Sequence, residues 1–163
     1  MTARKFLDEL KEKDKLFNGR NFVSLTNNQG KSCVHLACQA GYLEFLALLI
    51  ENNPQLDAAD NDGLTGLHLS VLSREEGPGC LSALLEAGAD TSRTDRRGRS
   101  PLLLAVAENH VEAVSRLVAS GADTNTRDSE GNNILHTLSL SQVEHSQTRI
   151  VGLIQVSQKT LSW

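Results

Sequence analysis

Histidines, cysteines, one acidic turn and one run of arginines are the residues of this 163-residue chain with chemistry to offer. His35, His68 and His136 would suit a metal ion, and Cys33, Cys38 and Cys80 a thiol nucleophile or a zinc site. Asp60-Asn61-Asp62-Gly63 has the start of a calcium loop. Arg93, Arg96, Arg97, Arg99 and Arg127 could grip an anion. Spacing removes the first three. The histidines stand at one position of successive segments instead of clustering, and no Cys/His pair has the close double spacing of a zinc site. Cys33 and His35 are two apart on a predicted helix, so they do not face each other. The calcium pattern lacks its late Glu. No phosphate-cradling glycine loop, hydrolase elbow or deaminase motif is present. The residues thus predict no enzyme, no metal and no cofactor. The arginines remain, because a planar guanidinium makes paired hydrogen bonds to carboxylates and phosphates.

The elements that would present those residues repeat. Gly30, Gly63, Gly98 and Gly131 lie 33, 35 and 33 residues apart. Three residues before each stands Asn27, Asp60, Asp95 or Asp128, and two after each stands Ser32, Thr65, Ser100 or Asn133. Asp or Asn followed by Gly is turn chemistry, with the glycine supplying a positive φ. The hydroxyl or amide that follows is a helix N-cap, and Pro101 fits the first helical position, where its missing N–H costs nothing. Aliphatic pairs (Leu48-Leu49, Leu84-Leu85, Leu117-Val118, Ile150-Val151) form the buried stripe of a second helix, which Gly88 and Gly121 end in left-handed geometry. The register predicts inner helices near 33–40, 66–73, 101–108 and 134–141, and outer helices near 43–52, 80–87, 111–120 and 146–157.

A period near 33 with a T-P-L-H-x-A signature resembles the ankyrin repeat. The likeness runs over residues 25 to 157, in segments such as Gly63-Leu64-Thr65-Gly66-Leu67-His68-Leu69 and Gly98-Arg99-Ser100-Pro101-Leu102-Leu103-Leu104-Ala105. It implies an all-α solenoid of helix-turn-helix units with finger-like turns, in which each histidine hydrogen-bonds the neighbouring turn. The expected division is residues 1–25 as an N-terminal helical cap or degenerate repeat, repeats at 26–58, 59–93 and 94–126, and a fourth repeat with the C-terminal cap at 127–163. Residues 3–17 read as a helix with Phe6, Leu7, Leu10 and Phe17 on one side. The second unit carries two extra residues within Ser73 to Gly79, where glycine and proline are expected to break the helix. The stretch from Ser139 to Thr148 is polar and reads as a linker.

Composition narrows the setting. The net charge of −4 lacks the basic footprint of a nucleic-acid binder. No apolar run reaches membrane-span length and no signal peptide stands at the charged N-terminus. An odd number of cysteines suits reduced thiols, hence a cytoplasmic and/or nuclear protein.

The family resemblance places partner contacts on the variable finger positions and the ends of the inner helices. Here these are Asn61, Asp62, Leu64 and Leu72 in the second unit, Arg96, Arg97, Arg99 and Glu108 in the third, and Ser129, Glu130 and Asn132 in the fourth. An acidic or phosphorylated protein segment with an aliphatic anchor would suit them. Gly63 to Val71 and Gly98 to Leu102 resemble internal repeats of the inhibitors of NF-κB transcription factors. Those inhibitors' Asp-Ser-Gly degron and acidic tail are not in this sequence, so the expectation is a short, degron-free inhibitor, or an excised domain, that masks a transcription-factor or signalling partner. An ankyrin-type cyclin-dependent-kinase inhibitor, or a targeting module of a larger enzyme or ubiquitin-ligase adaptor, is the alternative. Ankyrin repeats also resemble substrates of an asparaginyl hydroxylase that favours Leu eight residues before its target and Asp two before. Leu117 and Asp123 stand at those offsets from Asn125. The plain alternative is that Asn125 stabilises its own turn through its side chain.

Overall fold

The computed structural model describes residues 25–52, 55–74, 77–140 and 144–160. The expected N-terminal helix at residues 3–17 lies outside the described residues. Among those described, eight helices follow one another as four antiparallel pairs. The inner helices are α1 (Cys33–Ala40), α3 (Gly66–Leu72), α5 (Pro101–Ala107) and α7 (Ile134–Leu140). The outer helices are α2 (Leu43–Glu51), α4 (Gly77–Glu86), α6 (Val111–Ala119) and α8 (Glu144–Thr160). Inner packs on inner and outer on outer: α1 on α3, α3 on α5, α5 on α7, and likewise α2 on α4, α4 on α6 and α6 on α8. The fold is an all-α repeat solenoid.

Seven-residue inner helices are too short to stand alone. Stacking supplies their stability, through a continuous core of Leu46, Leu49, Leu67, Leu81, Leu84, Leu102, Leu104, Leu117 and Ile150, all sealed from solvent. Each such side chain contributes roughly 1.5–3 kcal/mol by burial. The inner helices come close. A Cβ on Gly66, where the third unit has Pro101, would lie 3.2 Å from Val34 and 3.3 Å from the Cys38 sulfur.

Two expectations are corrected. Gly77 and Pro78 do not break a helix, because α4 starts there. Pro78 falls in the first turn, where no N–H is needed, and Gly77 lies so near α3 that a Cβ would collide with the Ser70 carbonyl oxygen. The polar stretch after Ser139 is also mostly helical, since α7 runs to Leu140 and α8 begins at Glu144. The Gln147 side chain closes the join by donating to the Leu138 carbonyl at 2.9 Å.

The fingers are built alike. One side-chain oxygen accepts two backbone N–H groups across each turn: Asn27 from Gln29 and Lys31, Asp60 from Asp62 and Leu64, Asp95 from Arg97 and Arg99, Asp128 from Glu130 and Asn132, all between 2.8 and 3.0 Å. Successive fingers are laddered by main chain. The N–H groups of Asn61, Arg96 and Ser129 donate to the carbonyls of Gln29, Asp62 and Arg97 at 2.9, 3.1 and 2.9 Å.

The histidines lock one unit to the next. Ser32 N–H donates to His35 Nδ1 at 3.1 Å, which leaves Nε2 to donate to the Leu64 carbonyl at 3.0 Å. Thr65 and His68 repeat this with the Arg99 carbonyl, at 3.2 and 3.0 Å. These are capping boxes with histidine in place of the usual Glu or Gln. The third unit has Leu103 at this position, and there the Ser100 hydroxyl accepts the Leu103 N–H instead.

A pH dependence follows. Burial pushes both imidazoles below the ordinary histidine value of 6.5, and their bonds to carbonyls and nearby carboxylates offset this only in part. His110 is lowered by burial and by the Arg74 charge. Above about pH 6.5 these rings are neutral in both folded and unfolded chains, and their contribution is complete. Below it the unfolded chain takes up protons first, so stability falls by at most about 1.4 kcal/mol per pH unit per ring. Urea midpoints are expected to drop on acidification from about pH 7 to about pH 5.5. His68→Leu, which copies the third unit, should flatten that drop. An unchanged slope in the variant would show that His68 does not carry it.

Candidate partner-binding surface

The finger row is where the chain varies most from unit to unit, and stacking determines which of its side chains are free. Arg96 and Arg97 are exposed. Arg96 stands 4.0 Å from Asp62 with both side chains largely in solvent, a contact of little energetic weight. Arg97 uses its carbonyl on Ser129 N–H, and its guanidinium makes no ion pair among the described residues. Arg99 differs. Its Nη2 and Nε lie 2.7 and 2.9 Å from Asp95 Oδ2, and its side chain is three-quarters covered. Burial of Asp95 opposes its charge, but the backbone and guanidinium of Arg99 outweigh this and hold the carboxyl below its ordinary range.

The expectation that every variable position is without structural duty is thereby corrected. The residue after the finger glycine reaches back over the turn to the capping carboxylate. Asn132 does the same in the fourth finger, donating to Asp128 Oδ2 at 3.0 Å. Asn61 is also engaged, through Nδ2 to the Asn28 carbonyl at 3.0 Å. Glu108 is held by Arg74 from the insertion, which reaches both its carbonyl and its carboxylate. The two extra residues thus bring a clamp across the end of α5, a contact that spacing in the sequence did not reveal. Asp62, Ser129 and Glu130 remain exposed, and Leu64 is half-buried.

Leu64 leaves a gap. In the second finger no side chain reaches Asp60 Oδ2, which is buried without a hydrogen-bond partner among the described residues. Leu64→Arg should rebuild the pair that Arg99 makes with Asp95 and raise stability by about 0.5–1 kcal/mol. A variant that unfolds at lower urea than the parent would refute this reading of the gap.

An apolar row runs beside the fingers. Nine residues after each finger glycine stand Gln39, Leu72, Ala107 and Leu140. Leu72 is 43% exposed and Leu140 75% exposed, with Ala107 half-buried between them in the register. The surface thus offers two exposed guanidinium groups and an aliphatic strip, which suits a segment carrying carboxylates and a branched apolar side chain.

The cysteines take no part. Cys38 is sealed, and burial pushes its thiol up to about 12, so it carries no thiolate for chemistry. Cys33 is half-buried and also raised by burial. Among the described residues no three His, Cys, Asp or Glu side chains gather as for a metal, and no helix is long and apolar enough to cross a membrane. Asn125 is exposed in the turn after α6, with its backbone N–H donating to Asp123 Oδ1 at 2.8 Å. The turn is capped by Asp123, and the Asn125 side chain has no hydrogen bond among the described residues. The expectation that this side chain braces its own turn is corrected accordingly.

Comparison with known proteins agrees with this architecture. The family model for ankyrin repeats, written as three copies, matches residues 5–95 and 75–149. Over 119 residues the chain is 34% identical to transient receptor potential cation channel subfamily A member 1 of Drosophila melanogaster, covering 70% of this chain and 10% of the channel. It is 34% identical over 121 residues to the B-cell lymphoma 3 protein homolog of Mus musculus, covering 69% and 26%. It is 27% identical over 140 residues to the nuclear factor NF-κB p105 subunit of Mus musculus, covering 83% and 14%. The chain therefore spans a quarter or less of the length of these relatives, near enough, and matches their repeat arrays. On its own register and on these matches, the chain belongs to the ankyrin-repeat family of protein-interaction modules.

Proposed function

We propose that the chain is a non-catalytic inhibitor or adaptor of the IκB kind, which masks an NF-κB-type transcription factor by holding an acidic segment with an aliphatic anchor. The observation that carries this is the pairing of Arg96 and Arg97, both exposed on the third finger, with the open Leu72 and Leu140 strip. Similarity to B-cell lymphoma 3 protein and to the p105 subunit supports the choice of partner. Reduced thiols fit work in the cytoplasm or nucleus. The test is direct titration of the purified chain against a purified NF-κB dimer. Arg96→Glu with Arg97→Glu should weaken binding about tenfold or more while leaving helicity unchanged. Absence of binding by the parent chain would remove the reading. A targeting role inside a larger protein is the second reading, favoured by the tenth of the cation channel that the match covers.

Asn125 is a modification candidate within the same reading, because its side chain is exposed and unbonded two residues after Asp123. Incubation with an asparaginyl hydroxylase, iron and 2-oxoglutarate should add one oxygen to the peptide that contains it. An unmodified peptide beside a hydroxylated control array would dismiss the site.

A further inference from the structure

Each inner-helix residue has counterparts one unit away, so the array contains its own controls. Four residues after the finger glycine stand Val34, Leu67, Leu102 and Leu135. The first three are sealed, and the approach of Val34 to Gly66 shows that this position faces the following unit. Leu135 is 64% exposed. One residue on, His35 and His68 are buried with Nε2 on the next finger's carbonyl. His136 is exposed, bonded only to Asn133 of its own cap. Cys38, Val71 and Val106 are sealed, while their counterpart Ser139 is exposed. The carbonyls of Gln29, Asp62 and Arg97 each accept the next finger's N–H, whereas that of Glu130 meets no finger among the described residues.

The first unit shows the converse. Leu69 and Leu104 are buried six residues after their glycines, but Leu36 is 46% exposed. The N–H of Asn28, counterpart of Asn61, Arg96 and Ser129, has no acceptor among the described residues. The carbonyl of Lys31, counterpart of those that receive His35 and His68, takes only the Asn27 N–H. The two ends thus match in kind. One carries an open carbonyl, an imidazole Nε2 and Leu135, and the other an open N–H, an open carbonyl and Leu36.

We propose that the chain associates head to tail, with the fourth unit of one copy seating the first finger and α1 of a second copy as though it were the next repeat. Asn28 N–H then donates to the Glu130 carbonyl, and His136 Nε2 to the Lys31 carbonyl, repeating the ladder and the histidine lock that join the interior units. Leu135 is covered as Val34, Leu67 and Leu102 are. Such a contact is heterologous and does not close on itself, so it builds linear chains. It also joins the finger rows of successive copies into one longer surface. The inference does not depend on the identity of any other partner.

Sedimentation of the full chain, residues 1–24 included, from micromolar to several hundred micromolar tests this. The mean mass should climb with concentration. Leu36→Glu and Leu135→Glu replace exposed side chains, and circular dichroism should show both folded. Each should be monomeric alone. Mixed in equal amounts they should form a dimer that grows no further, because one supplies an intact fourth unit and the other an intact first unit. A parent chain that stays monomeric throughout would overturn the proposal, as would Leu36→Glu dimerising alone, which would mean that two fourth units pair with each other.

Discussion

Gly98→Ala is expected to destabilise the array by about 3 kcal/mol, well beyond what a glycine-to-alanine change costs in an ordinary loop. Two effects add. Gly98 has φ +72°, a left-handed conformation that costs a residue with a Cβ about 1–2 kcal/mol. The added Cβ would also stand 2.6 Å from the Ser129 backbone nitrogen and 3.1 Å from the Asp128 carbonyl carbon. Those are main-chain atoms that cannot rotate away. Ser129 N–H is the donor that ladders the fourth finger to Arg97, so the methyl group wedges that rung apart. Gly121 supplies the control. Its φ is +87°, but a Cβ there meets nothing within 4 Å, so Gly121→Ala should show the conformational term alone. Urea unfolding of the two variants separates strain from collision. Equal losses would mean that the fingers can part at no cost.

His68→Ala should cost about 3 kcal/mol, and His136→Ala less than about 0.5 kcal/mol. The His68 ring is fully buried and bonded on both nitrogens, to the Thr65 cap and to the Arg99 carbonyl. Its loss leaves a cavity and an unpaired Thr65 N–H, and each is costly inside the stack. His136 has the same neighbours within its own unit, yet it is exposed. Since the His68 ring joins the second unit to the third, its removal should also broaden the unfolding transition, because cooperativity in a repeat array depends on the interfaces between units. Denaturation curves followed by circular dichroism report both midpoint and breadth. Comparable losses at positions 68 and 136 would show that the bridge across units adds nothing.

These two predictions divide the molecule into what is local and what is not. The period, the finger turns, the caps and both sets of helices were determined by sequence alone, because each depends on a few adjacent residues: Asp and Gly for the turn, Ser, Thr or Asn for the cap, paired aliphatics for the outer stripe. Helix α1 lies where residues 33–40 were expected, and the other inner helices stop one residue short of expectation. The variable finger positions could be located in the same way, since turn register is local. Their availability could not. That Arg99 pairs with Asp95 while Arg97 remains free depends on how the chain folds back over one turn. That Asp60 Oδ2 has no partner, that Arg74 clamps Glu108, and that Leu135 lies open where Leu67 and Leu102 are sealed depend on neighbours about 33 residues distant, at the spacing of the repeat. Burial in a solenoid is a property of the interface between units. Four nearly equivalent sequence segments therefore acquire different surfaces only when stacking places one against the next.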